Sequence, residues 1–86
     1  MKAEKRDQAT EVLSVLLMVD RDALTPKALL VEDLAMDSLD RVELVMQLEE
    51  QVLDGAEIDE DDADAWQTVD DVFQTLEAKL KAARKG

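Results

Sequence analysis

The sequence predicts an all-α protein: a small four-helix bundle with three long helices, one short third helix and a long loop between the first two. Three observations predict it. Apolar residues recur at three- and four-residue spacing in three stretches, and the alternation of a half-buried strand is missing. Only two glycines and one proline punctuate the chain. Its 86 residues, 47% of them hydrophobic, are enough for one domain (1–86) with a single core and too apolar for a disordered segment.

The first helix is expected over about residues 3–18. Ala9, Val12, Val15, Leu16 and Val19 form its apolar face, widened by Leu13, Leu17 and Met18. Pro26 then bars a helix and pushes Thr25 toward extended backbone. The loop around it carries Leu24, Leu29, Leu30, Val31 and Leu34, so it is expected to pack onto the core. A second helix over about 38–53 takes its cap from Asp37 or Ser38 and ends at Gly55. The acidic "IDEDDADAW" suits a brief helix near 59–65. Thr68 caps the last helix, with Asp70 and Asp71 in its first turn. Val69, Val72, Phe73, Leu76 and Leu80 make its stripe, and Lys79, Lys81, Arg84 and Lys85 complement its negative end. Helices of this length are marginal alone, so their apolar faces must bury one another.

Composition excludes several function classes. The chain has no cysteine and no histidine, hence no disulfide framework, thiolate or imidazole metal site, or imidazole base. An enzyme built on a nucleophile–base pair is not expected. No apolar run approaches the roughly 18 residues of a membrane span, and "MKAEKRDQAT" lacks the apolar core of a secretory signal. The expected compartment is the cytoplasm. Net charge is −12. Between residues 7 and 78 only Arg21, Lys27 and Arg41 are basic, while every acid but Glu4 lies there. That field repels nucleic acid and anionic lipid and attracts a basic protein surface.

The stretch "VEDLAMDSLDRVELVMQLEE", residues 31–50, is the most informative. With Leu39 at zero on a helical wheel, Glu50, Glu43, Gln47 and Asp40 fall at about 20, 40, 80 and 100°. Leu39, Met46 and Val42 border this acidic face, and Val45, Leu48 and Val52 form the expected buried centre. A border of apolar side chains and acids is either the edge of a wide core stripe or a docking surface. A single serine, Ser38, stands at the head of this helix.

The string Glu-Asp-Leu-x-x-Asp-Ser-Leu-Asp followed by an acidic amphipathic helix resembles the acyl carrier protein family. The resemblance is strongest over residues 29–52 and architectural over 10–80. It implies that Ser38, flanked by Asp37 and Leu39, carries a 4′-phosphopantetheine arm whose thiol holds acyl groups as thioesters. It implies that Asp40, Glu43, Gln47, Glu49 and Glu50, with Leu39, Val42 and Met46, form the docking face for partner enzymes. Those partners are a phosphopantetheinyl transferase and acyl-transfer and synthase enzymes of fatty acid, specialised lipid or polyketide synthesis, with basic docking surfaces. Leu30, Met46, Leu48, Ile58, Trp66, Val69, Val72, Phe73 and Leu76 are placed to line an acyl pocket. A monomer that acts as a substrate shuttle, not a catalyst, is implied.

The chain departs from the pattern in places. Arg41 stands where many relatives carry a neutral residue, the linker 51–66 is long, and Trp66 is larger than the aliphatic residue expected there. Ala35-Met36 replace the glycines that often precede the serine in carriers of amino acids. An acidic helical interaction module without a prosthetic group is the alternative reading. A calcium loop over "DEDDADAWQTVD" lacks the glycine at its sixth position, where Asp64 stands, and the final glutamate.

Overall fold

The computed structural model describes residues 1–83 and has helices but no strand among them, with α1 at Ala3–Leu17, α2 at Ser38–Gln51, α3 at Glu60–Asp64 and α4 at Val69–Ala83. Three long helices and one short one match the expected architecture. Arg84 and Lys85, expected to complement the end of α4, lie outside the described residues.

Periodicity decides which face each helix buries. In α1 the buried stripe is Ala9, Val12 and Leu13, with Leu16, Leu17 and Val19 packed partly against it. Val15 and Met18, expected on this face, are 65% and 89% exposed. On the wheel Met18 falls opposite Ala9, and Val15 falls about 110° round from the centre of the stripe, on its solvent flank. Met18 also ends the helix in left-handed backbone, φ 57°. In α2 the buried centre is Leu44, Leu48 and Val52, all at 0%. Val45, expected at that centre, sits on its flank and is only partly buried, because Leu44 completes the i, i+4, i+8 row. The helix stops at Gln51, and Gly55, in left-handed backbone at φ 98°, closes the turn beyond it with its N–H on Glu49 O at 2.7 Å.

The loop from 18 to 37 is ordered by its own packing. A 3-10 turn at Arg21–Ala23 lets Arg21 reach back to α1, donating to Asp7 at 2.7 Å and Glu11 at 2.8 Å. These two hydrogen bonds hold the guanidinium pKa above its ordinary value. Ala28, Leu30, Leu34 and Met36 are buried, whereas Val31, expected to pack inward, is 51% exposed.

The loop is also stapled to the start of α4. Leu29 and Thr68 form an isolated antiparallel bridge. Leu30 N–H donates to Gln67 O at 2.9 Å, and Val69 and Asp70 N–H donate to Ala28 O and Pro26 O at 3.1 and 3.0 Å. Thr68 Oγ1 accepts from Asp71 N–H at 3.2 Å, and Asp71 Oδ2 accepts from the N–H of Thr68 at 3.0 Å and of Gln67 at 2.9 Å. Backbone donors from Gln67 and Thr68 favour the ionised carboxylate and lower the Asp71 pKa.

Candidate functional site

The residues before α2 form a turn that buries two side chains and turns out the next ones. Asp33 Oδ2 accepts from Leu29 N–H at 2.9 Å, and Leu34 and Met36 N–H donate back to Leu29 O and Leu30 O at 3.1 and 2.9 Å. Ala35 takes left-handed backbone, φ 58°. Leu34 and Met36 are thereby anchored in the core at 4% and 3% exposure, and Asp37, Ser38 and Leu39 emerge into solvent. Sequence reasoning missed the anchoring role of Met36 and the bend at Ala35. The spacing of Asp33 four residues after Leu29 was the available signal for the turn.

Asp37 is the N-cap. Its Oδ1 accepts from Asp40 N–H at 2.7 Å, and Asp40 Oδ2 accepts from Asp37 N–H at 3.2 Å. This is a capping box with aspartate at both corners. Asp37 therefore fills the capping role that the sequence left open between it and Ser38. Ser38, the first helical residue, keeps an exposed side chain. Among the described residues the backbone N–H groups of Ser38 and Leu39 have no hydrogen-bond partner. A reachable hydroxyl, two unused donors and the positive end of a 14-residue helix thus meet at one place. Such a site favours an anionic group held on the hydroxyl.

Down α2, the residues expected at a docking face divide into two sets. Leu39 at 76%, Val42 at 59% and Met46 at 59% are exposed apolar side chains, with Glu43 and Glu50 exposed beside them. Asp40, Gln47 and Glu49 are half-buried. The Asp40 carboxylate is engaged in the capping box, and Glu49 Oε2 accepts from Ile58 N–H at 2.7 Å, tying the linker to α2. Glu49 therefore serves the fold as well as the surface.

Of the residues expected to line an acyl pocket, Leu30, Leu48, Ile58, Trp66, Val69, Val72, Phe73 and Leu76 are all buried in one cluster. Met46 is not among them; its position on α2 turns it away from the Leu44–Leu48–Val52 row, so it belongs to the surface alone. Trp66 is 3% exposed and donates its indole N–H to Thr75 Oγ1 at 2.8 Å. Phe73 is covered by the Arg6 guanidinium, 4.5 Å from the ring centroid. Beside this core, an open cleft of about 350 Å³ is bordered by Leu29, Val31, Glu32, Arg41, Asp64, Trp66 and Gln67. The segment weighed as a calcium loop is instead α3 followed by the start of α4. Among the described residues no group of three acids is placed to hold a metal ion.

A family model described as a phosphopantetheine attachment site matches residues 7–76. Over 73 residues the chain is 48% identical to the acyl carrier protein of Syntrophobacter fumaroxidans, which covers 85% of this chain and 86% of that one. The chain belongs to the acyl carrier protein family. That membership implies a 4′-phosphopantetheine prosthetic group and the work of a carrier alongside synthase enzymes. The residues present fit such a group: a phosphodiester needs a hydroxyl that a second protein can reach and donors for its free oxygens, and the head of α2 has both. The alternative, an acidic module without a prosthetic group, accounts for the charge and leaves the family match unexplained. No helix among the described residues is long and apolar enough to cross a membrane.

Proposed function

We propose that Ser38 is the attachment point of the 4′-phosphopantetheine arm and that the protein is a cytoplasmic, monomeric carrier of acyl groups with no catalysis of its own. One observation carries this reading: the Ser38 side chain is exposed at the first position of α2 while Asp37 performs the capping. The bound arm supplies a thiol on which acyl groups are held as thioesters. The chain's own residues do the rest. Asp37 and Asp40 fix the first turn, so Ser38 is offered in one geometry to a phosphopantetheinyl transferase. Its hydroxyl needs no base within this chain, because that enzyme activates it.

The face bearing Leu39, Val42, Glu43, Met46 and Glu50 docks the enzymes that load and use the cargo, in fatty acid, specialised lipid or polyketide synthesis. Its apolar side chains supply contact, and its acids steer a basic surface toward them and set register. Weak, charge-led encounter suits a carrier that must leave each partner quickly. The acyl chain is received among Leu30, Leu48, Ile58, Trp66, Val69, Val72, Phe73 and Leu76. These side chains now fill the core together, so a long chain must displace them.

The test is direct. The purified chain is incubated with coenzyme A, Mg²⁺ and a broad-specificity phosphopantetheinyl transferase, and its intact mass is taken. One phosphopantetheine is expected on the wild type and none on Ser38→Ala; an unchanged wild-type mass would return the reading to a plain interaction module. With the loaded protein, Glu43→Lys is expected to weaken partner binding about tenfold with helicity retained, since it reverses a charge at the docking face. Unchanged partner kinetics would remove Glu43 from that face.

A further inference from the structure

Among the described residues Arg41 is the one basic residue bordering the cleft beside α2, and it is committed to the backbone of another element. Its Nη1 donates to Ala63 O, in the last turn of α3, and more distantly to Trp66 O at 3.4 Å. α3 has only five residues, Glu60, Asp61, Asp62, Ala63 and Asp64, and four of them are acids. A helix that short is not stable alone, and its charges repel one another. One guanidinium on its terminal carbonyls opposes both tendencies and also complements the negative end of its dipole. Arg41 therefore ties α3 to α2.

The same residue stands three positions after Ser38. Residues at that spacing are neighbours on a helix surface, about 5–6 Å apart at Cβ. Long side chains in a helix lean toward the turn on their N-terminal side, here the turn that starts with Ser38. A guanidinium has five donors, and its planar fork matches phosphate oxygens two at a time. A phosphodiester has a full negative charge, whereas a carbonyl has a partial one, so the guanidinium is drawn more strongly to the phosphodiester and can meet it with two parallel hydrogen bonds. Release of Ala63 O strands no acceptor, because Trp66 N–H also donates to it at 3.2 Å.

We propose that Arg41 is a positioning residue shared between two partners: in the unmodified chain it ties α3 to α2, and once Ser38 is modified it turns to the phosphodiester and leaves α3 freer to open. Modification at the head of α2 is thereby transmitted to the rim of the core, where Trp66 borders both the cleft and the packed interior. This inference rests on the attachment of the arm at Ser38.

The experiment compares unmodified and modified protein, as wild type, Arg41→Gln and Arg41→Lys, by amide hydrogen exchange resolved at Ala63, Ala65 and Trp66 and by the ³¹P resonance of the phosphodiester. In the wild type, modification is expected to speed exchange at these amides about tenfold, the scale of one lost hydrogen bond to a charged group. Unmodified Arg41→Gln is expected to exchange already at the faster rate and to change little on modification, with its ³¹P resonance displaced from wild type. Arg41→Lys, which keeps the charge without the planar fork, is expected to fall between. A wild type that gains the arm at Ser38 with α3 exchange unchanged overturns this inference alone, as does a ³¹P resonance that is the same in wild type and Arg41→Gln. A chain that gains no mass overturns the attachment reading and this inference with it. A merely structural Arg41 would alter exchange equally in both states and leave the ³¹P resonance in place.

Discussion

The heads of α2 and α4 are built by the same local device and put to opposite uses. Each starts with a reciprocal cap three residues apart, Asp37 with Asp40 and Thr68 with Asp71. Beyond that they diverge. At α4 the first N–H groups are taken by the loop, Val69 by Ala28 O and Asp70 by Pro26 O, and Val69 is 1% exposed. At α2 the first two N–H groups have no partner among the described residues, and Ser38 and Leu39 face solvent. One helix start is closed by tertiary structure and the other is left open. The comparison teaches that a cap fixes where a helix begins, while the packing around it decides whether its first residue is a structural part or an offered group.

The strongest way to break the contrast is to give α4 the residue of α2. Val69→Ser removes a fully buried side chain from the core and places a hydroxyl where Val69 now packs. A loss of about 2–3 kcal/mol is expected in urea unfolding. A cost under about 0.5 kcal/mol, the range of ordinary surface changes, would mean that the head of α4 is as open as that of α2.

The caps themselves come next. Thr68→Ala and Asp37→Ala should each cost about 1 kcal/mol, within the range measured for N-caps. The contrast becomes sharper in hydrogen exchange. Asp37→Ala should fray the first turn of α2, since little else holds it. Thr68→Ala should leave the amides of Val69 and Asp70 protected, since loop carbonyls hold them. Equal fraying at both heads would argue that the loop staple contributes nothing.

Asp71 gives a smaller and pH-dependent effect. Hydrogen bonds from the backbone N–H groups of Gln67 and Thr68 lower its pKa in the folded state. A carboxylate with a depressed folded pKa stabilises the fold above its unfolded value, about 3.9, and that contribution is lost as pH falls through the lower folded value. Asp71→Asn keeps an acceptor and removes the charge, so it should cost about 0.3–1 kcal/mol at neutral pH. The gap between wild type and variant, read from unfolding curves, should narrow below about pH 4. A gap that is flat down to pH 2 would separate the stability of this cap from its charge.

How much of this was legible in the sequence follows the same division. Periodicity and cap residues located the three long helices, because both are local, and the acidic stretch at 59–65 located α3; Thr68 announced itself as a cap, whereas at α2 the choice between Asp37 and Ser38 stayed open until the bond from Asp40 N–H to Asp37 decided it. Ser38 at the head of α2 was legible as a position for the same reason. What escaped was set by contacts across the chain. Val15 and Met18 read as core because they are apolar and near the stripe, yet the face that packs inward runs through Ala9, Val12, Leu13 and Leu16 and leaves both outside it. Met46 read as both wall and contact, and only the partner row Leu44–Leu48–Val52 shows that it faces out. The grip of Arg41 on Ala63 O spans 22 residues and has no local signal. Neither does the bond from Ile58 N–H to Glu49.

The smallest expected effect is the most discriminating. A serine that caps a helix costs about 0.5–2 kcal/mol when it becomes alanine. Ser38 stands one position too late for that role, and Asp37 already holds the cap. Alanine has the better helix propensity, by a few tenths of a kcal/mol, and the side chain removed is exposed and touches no core. Ser38→Ala should therefore lie within about 0.5 kcal/mol of wild type in urea unfolding, with no change in far-UV circular dichroism. A hydroxyl that the fold does not need, at a helix head that the packing leaves open, is free for chemistry carried out by another protein. A measured cost of 1 kcal/mol or more would show that the hydroxyl is engaged in the first turn of α2, and the two heads would then be closed alike.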